Sequence, residues 1–148
     1  VTFSNTITDD TALPFTGEWI FENDSSLSLL DSTYHTTTNA GDFVDFNFTG
    51  AFVSLPVFHL SNYTLASLSL GTAVTIFGFR DANSGRFTVR LDNDSVTFNA
   101  ASSTKEATTL FFRTGLNNSI PHTLTITNDD DNLLAIGLIN VTLASSNS

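Results

Sequence analysis

Residues 42–49 read DFVDFNFT. Val44, Phe46 and Phe48 alternate with Asp45, Asn47 and Thr49. Side chains at every second position share one face of a pleated strand, so a strand here buries the first set and exposes the second. RFTVRLD at 86–92 repeats the pattern, with Phe87, Val89 and Leu91 inward and Arg86, Thr88 and Arg90 outward. HTLTIT at 122–127 places Leu124 and Ile126 inward and its threonines outward. LLAIGLINVTL at 133–143 is apolar at nearly every position, which predicts a central strand covered on both faces. DANSG at 81–85 reads as a hairpin turn between TAVTIFGF and RFTVRLD, and DND at 92–94 as a second turn leading into SVTF. STKEATTLFF at 103–112 offers the start of a helical turn, but its threonines and phenylalanines favour a strand.

Short strands at roughly 8–12-residue spacing predict an all-β, antiparallel β-sandwich or jelly roll. A chain of 148 residues is expected to form one domain, which buries roughly 70% of its unfolded surface. That domain is expected over 1–143, with 144–148 as a tail opening a Ser-rich stalk. One stretch fits poorly. Residues 51–70 hold Pro56, His59 and Asn62 among apolar side chains and many Ser and Thr. They contain no run of ~18 apolar residues, so they do not read as a membrane span. Two readings stay open: an inserted hairpin or long loop, or translated intron sequence, since Val53-Ser54 is encodable by a donor-like GT-AGT.

The net charge is −10, from five basic and fifteen acidic residues. Nucleic acid and anionic membrane surfaces are disfavoured, because both need a basic footprint. There is no cysteine, so neither a disulfide nor a thiolate metal site forms. Asn-x-Ser/Thr triplets occur at Asn23, Asn47, Asn62, Asn93, Asn117 and Asn140. Their density points to a secreted or cell-surface glycoprotein. No charged n-region and apolar h-region opens the chain, so any signal peptide is expected to have been removed.

Several pieces, in this order, resemble the galactose-binding-domain-like β-sandwich in the ectodomains of mushroom-type fungal surface proteins. They are ITDD (7–10), FTGEW (15–19), YHTTTNAGDFVDFNFTG (34–50), TAVTIFGFRDANSGRFTVRLDN (72–93), LFFRTGLNNSIPHTLTITN (110–128) and LLAIGLINVT (133–142). The resemblance implies a module like a carbohydrate-binding domain. Related modules often place an acidic residue in the last strand to help hold a structural calcium ion. The corresponding position here is Gly137, so no cofactor is expected, and a structural calcium ion stays as the weaker alternative.

Sugar recognition needs an aromatic ring for the C–H face of the sugar, with carboxylates, amides or Arg for adjacent hydroxyls. Trp19, Tyr34, His35, Arg80, Asp81 and Asn83 are the candidate residues near expected loops. Each also has a plain structural reading: Trp19 as half-core, Tyr34 and His35 in structural hydrogen bonds, Arg80 in a surface ion pair. His122 is expected to cap a strand edge. Asp9-Asp10 and Asp129-Asp130-Asp131 are oxygen donors of the type calcium takes, but they lack a calcium-loop spacing and read more readily as solvated turns, which leaves them weak metal candidates. A glycosidase needs two carboxylates across a cleft, and no nucleophile elbow or H-E-x-x-H is present. The expected function is therefore a non-catalytic, extracellular binder of glycans or cell-wall polysaccharide. The alternative is a glycosylated structural or self-associating ectodomain or matrix module.

Overall fold

The computed structural model describes residues 2–27, 32–49 and 72–145. Residues 51–70, with the triplet at Asn62, lie outside the described residues. Among the described residues eleven strands follow one another: β1 (Thr2–Asp9), β2 (Phe15–Thr16), β3 (Ile20–Asn23), β4 (Thr33–Thr37), β5 (Phe43–Thr49), β6 (Thr72–Arg80), β7 (Arg86–Leu91), β8 (Asp94–Asn99), β9 (Glu106–Leu116), β10 (Pro121–Asn128) and β11 (Leu134–Ser145). They build two antiparallel sheets. The first runs β3-β4-β11-β6-β9, with β1 also paired to β11; the second runs β2-β5-β10-β7-β8. The fold is a β-sandwich of the jelly-roll type.

The alternating residues meet between the sheets. Val44, Phe48, Phe87, Val89, Leu91, Leu124 and Ile126 come from the second sheet, and Val74, Ile76, Leu134, Ile136, Ile139 and Val141 from the first. Period-2 patterning thus assigned the faces of β5, β7 and β10 correctly. β11 is central, flanked by β6 on one side and by β1 and β4 on the other. Its outer face is covered near one end by Leu27, Tyr34 and Phe79, which explains its nearly continuous apolar run. Residues 103–112 enter β9 and form no helix.

Two expectations need correction. DANSG is not a hairpin: β6 belongs to the first sheet and β7 to the second, so residues 81–85 carry the chain between layers. Alternation reports which face of a strand is buried and says nothing of its partner. The crossing is held by backbone bonds from Leu133 N to Asn83 O and from Ala100 N to Gly85 O. The boundary at 143 falls inside β11, which continues to Ser145 opposite Thr2.

At the other end of the second sheet, His122 is only 3% exposed. Its Nδ1 lies 2.7 Å from Asp92 Oδ2 and its Nε2 2.7 Å from Asn117 O. Both ring nitrogens face acceptors, so the doubly protonated ring satisfies both. Burial works against that charge, but the bonds to Asp92 and Asn117 outweigh it and hold the ring above its ordinary pKa. Asp92 feels the same burial and is nevertheless held below the usual carboxylate value by His122 and Thr123 N–H. The pair joins the β7–β8 turn, where Asp92 has φ 55°, to the loop before β10. The expected strand cap is thus a buried strut between two loops.

Candidate functional site

The chain changes sheets between β2 and β3, and that crossing sets out a group of rings. Gly17 has φ +113°, and a Cβ there would overlap the Asp42 carboxylate. Glycine alone meets both conditions. Asp42 Oδ2 then accepts from Glu18 N at 2.9 Å and from Thr37 Oγ1 at 2.6 Å, tying the crossing to β4. Trp19 Nε1 donates to Thr16 O at 3.1 Å, which folds the indole back onto Phe15 at 4.6 Å between ring centroids. Phe15 stacks on His35 at 4.4 Å, and Phe21 meets His35 edge-on at 5.6 Å.

Behind the rings, Asp10 is fully buried. It accepts from Thr33 Oγ1 and from His35 Nδ1, each at 2.6 Å. Burial pushes the Asp10 carboxyl above its usual range, against those two bonds. With Nδ1 committed to Asp10, His35 keeps Nε2 for other partners. At the rim, Asn39 Nδ2 donates to Glu18 Oε2 at 3.0 Å. Phe21 is 53% exposed, and Trp19 and Phe15 are half-buried. The result is a ring surface bordered by a carboxylate and an amide, the two elements that sugar recognition requires.

Of the six ligand candidates, the structure joins Trp19 and His35 through Phe15. Tyr34 points to the other face of β4, 5% exposed, with Phe79 edge-on at 4.8 Å. Lys105 Nζ lies over both rings. Arg80, Asp81 and Asn83 lie toward the same end of the first sheet, but β4 and β11 stand between them and Trp19. Three strand steps make that about 14 Å. Arg80 pairs with Glu106 at 2.7 Å, and Asp81 Oδ1 accepts from Asn83 N at 2.8 Å to shape the turn. Arg80 is solvent-exposed, so Arg80→Ala is expected to change stability by less than about 1 kcal/mol, measured by urea unfolding. Phe15, Glu18, Phe21 and Asn39 escaped the sequence reading. Their one available signal was the spacing of Phe15, Trp19 and Phe21 around a glycine.

Each acid of the 129–131 loop is engaged within the protein. Asp129 Oδ2 accepts from Thr88 Oγ1, Asp130 Oδ2 from Arg86 N, and Asp131 Oδ1 from Ala40 N. The Arg86 N–H bond holds the Asp130 carboxyl below its usual range. Asp9 Oδ2 caps the 3₁₀ turn Asp10–Ala12 through Thr11 N, and its Oδ1 is buried without a partner. Among the described residues, no three His, Asp or Glu side chains converge. Asp10 is spent on Thr33 and His35, and the last strand presents Gly137, buried and without a side chain. A calcium cage needs six or more oxygens, and this donor set does not fit one. Calcium or EDTA is accordingly expected to leave the melting temperature unchanged in a thermal scan.

The glycosylation triplets differ in access. Asn23, Asn47, Asn93 and Asn117 are exposed. Asn140 sits within β11, paired on both sides, with Oδ1 buried and Nδ2 3.5 Å from Asn5 Oδ1.

No protein-family model matches this chain, and a search of curated proteins finds no match. Solved structures do match. The CBM36-1 domain of a multidomain xylanase from the hindgut metagenome of Trinervitermes trinervoides aligns with TM-score 0.57 at 13% identity, covering 98% of this chain and 100% of that one. A family 35 carbohydrate binding module from Clostridium thermocellum aligns with TM-score 0.57 at 11% identity, covering 93% and 97%. A carbohydrate-binding module CBM36 in complex with calcium and xylotriose aligns with TM-score 0.51 at 12% identity, covering 93% and 98%. At such identities the likeness is one of fold.

Proposed function

We propose that this domain is a non-catalytic, extracellular module that binds glycans at the Trp19 ring cluster. The observation that supports it most is the contiguous surface of Trp19, Phe15, His35 and Phe21 with Glu18 and Asn39 at its rim. Phe21 and Trp19 offer ring faces for the apolar side of a sugar. The Glu18 carboxylate and the Asn39 amide reach two neighbouring hydroxyls. The three similar structures described above are named as carbohydrate-binding modules, which agrees with this reading. Calorimetry against a panel of cell-wall polysaccharides, with wild type and Phe21→Ala, tests it. Binding is expected for the wild type, and its absence across the panel would remove the proposal.

A second reading has its own support. Among the described residues β1 pairs only with β11, and its exposed Phe3 (70%) and Ile7 (51%) lie on a strand without charge from Thr2 to Thr8. Such an edge favours self-association. If self-association is the function, light scattering will show a concentration-dependent dimer that Ile7→Lys abolishes.

A further inference from the structure

The outer face of the second sheet is polar, and it contains a cleft of about 440 Å³ lined by Arg90, Asp92, Asn93, Thr123 and Thr125. That volume lies in the range of small-ligand sites. Arg80, Arg86, Lys105 and Arg113 each have a carboxylate within 4 Å. Arg90 has none among the described residues. Its Nε donates to Asp92 O at 3.0 Å, which fixes the guanidinium and leaves the terminal N–H groups for the cleft.

The other lining groups are partly spent, and in a consistent way. Asp92 Oδ1 accepts from Thr123 N and Oδ2 from His122, so this carboxylate is already neutralised. Thr123 Oγ1 donates to Asn47 Oδ1 at 2.9 Å and Thr125 Oγ1 to Asp45 Oδ1 at 2.7 Å. Each hydroxyl proton is committed, while the oxygen lone pairs stay available. The cleft therefore offers N–H donors on one side and hydroxyl acceptors on the other. That suits an uncharged, hydroxyl-rich ring, whose oxygens accept from Arg90 and whose O–H groups donate to the threonines. At its rim stands Asn93, exposed in the two-residue turn between Leu91 and Asp94, in the triplet Asn93-Asp94-Ser95.

We propose that Asn93 bears an N-linked glycan whose first N-acetylglucosamine folds back into this cleft, held by Arg90 and the oxygens of Thr123 and Thr125. The inference rests on the extracellular reading above, because the sugar comes from a lipid-diphosphate-linked oligosaccharide in the secretory pathway. In that transfer the Asn93 Nδ2–C1 bond forms and the C1–O bond to the diphosphate breaks. The diphosphate leaves as the anion, and the amide proton goes to a base of the transferase. The seated sugar caps the polar face and stiffens the β7–β8 turn.

The test uses the domain secreted from a eukaryotic host and the same domain made in bacterial cytoplasm. Ser95→Ala removes the triplet and Ser95→Thr keeps it. Peptide mass mapping is expected to find sugar on Asn93 in the secreted wild type and Ser95→Thr proteins. Ser95→Ala is expected to lower the melting temperature of the secreted protein by about 3 °C or more and to leave the bacterial protein unchanged. Arg90→Ala should lower the secreted wild type similarly and add nothing to Ser95→Ala. Enzymatic trimming to a single N-acetylglucosamine should preserve the wild-type value. Bare Asn93 with sugar on any other triplet overturns the seat alone. Sugar on no triplet overturns the extracellular reading with it. A glycosylated Asn93 whose loss changes nothing, or whose effect simply adds to that of Arg90→Ala, also overturns the proposal.

Discussion

Trp19→Ala is expected to abolish glycan binding, and Phe21→Ala to weaken it by about thirtyfold, the equivalent of ~2 kcal/mol for a central aromatic contact. The two variants separate binding from folding. Trp19 packs against the main core, so its loss also lowers stability. Phe21 is half-exposed at the sheet edge and contributes little to the core. Calorimetric titration of both, with urea unfolding as a control, checks the pair. Equal affinity of Phe21→Ala and wild type would move the contact surface away from these rings.

The second large effect concerns the strut at the opposite end. His122→Ala removes two short hydrogen bonds and leaves a void beside Phe48, whose ring centroid is 5.3 Å from the imidazole. The expected loss is about 2–4 kcal/mol. Its pH dependence has a definite sign. His122 is raised in the folded protein, so its contribution is full below the unfolded value near 6.5 and is lost as pH rises through the higher folded value. Asp92 is lowered, so its contribution is present above 3.8 and is lost as pH falls through the lower folded value. The pair therefore stabilises most between about pH 4 and 6.5. Urea midpoints across pH 3–9 should show a maximum in that window for wild type, and His122→Ala should flatten it.

The layers were legible because each strand face repeats a two-residue period. Val44, Phe87, Val89, Leu124 and Ile126 are buried as their spacing required. Strand pairing was less legible. The partners of β6 and β7 depend on contacts between residues far apart in the chain, and the turn chemistry of DANSG suits a hairpin and a layer crossing alike. The ring cluster was half legible for a similar reason. Trp19 and His35 are conspicuous as residue types, but Phe15 and Phe21 look like any strand phenylalanine until the crossing at Gly17 brings β2 and β3 together. Tyr34 shows the converse. Its type suits sugar stacking, and a one-residue offset from His35 sends it to the opposite face of β4.

Trp19 is the only tryptophan in the chain, so intrinsic fluorescence reports on the cluster directly. The decisive measurement is a fluorescence titration of the wild-type domain with xylo-, manno- and galacto-oligosaccharides and with soluble cell-wall polysaccharides. A saturable change in Trp19 emission with at least one glycan, greatly weakened in Phe21→Ala and indifferent to EDTA, is the predicted result. Unchanged emission across the panel, or a glycan bound by calorimetry with Trp19 silent, would contradict binding at this site.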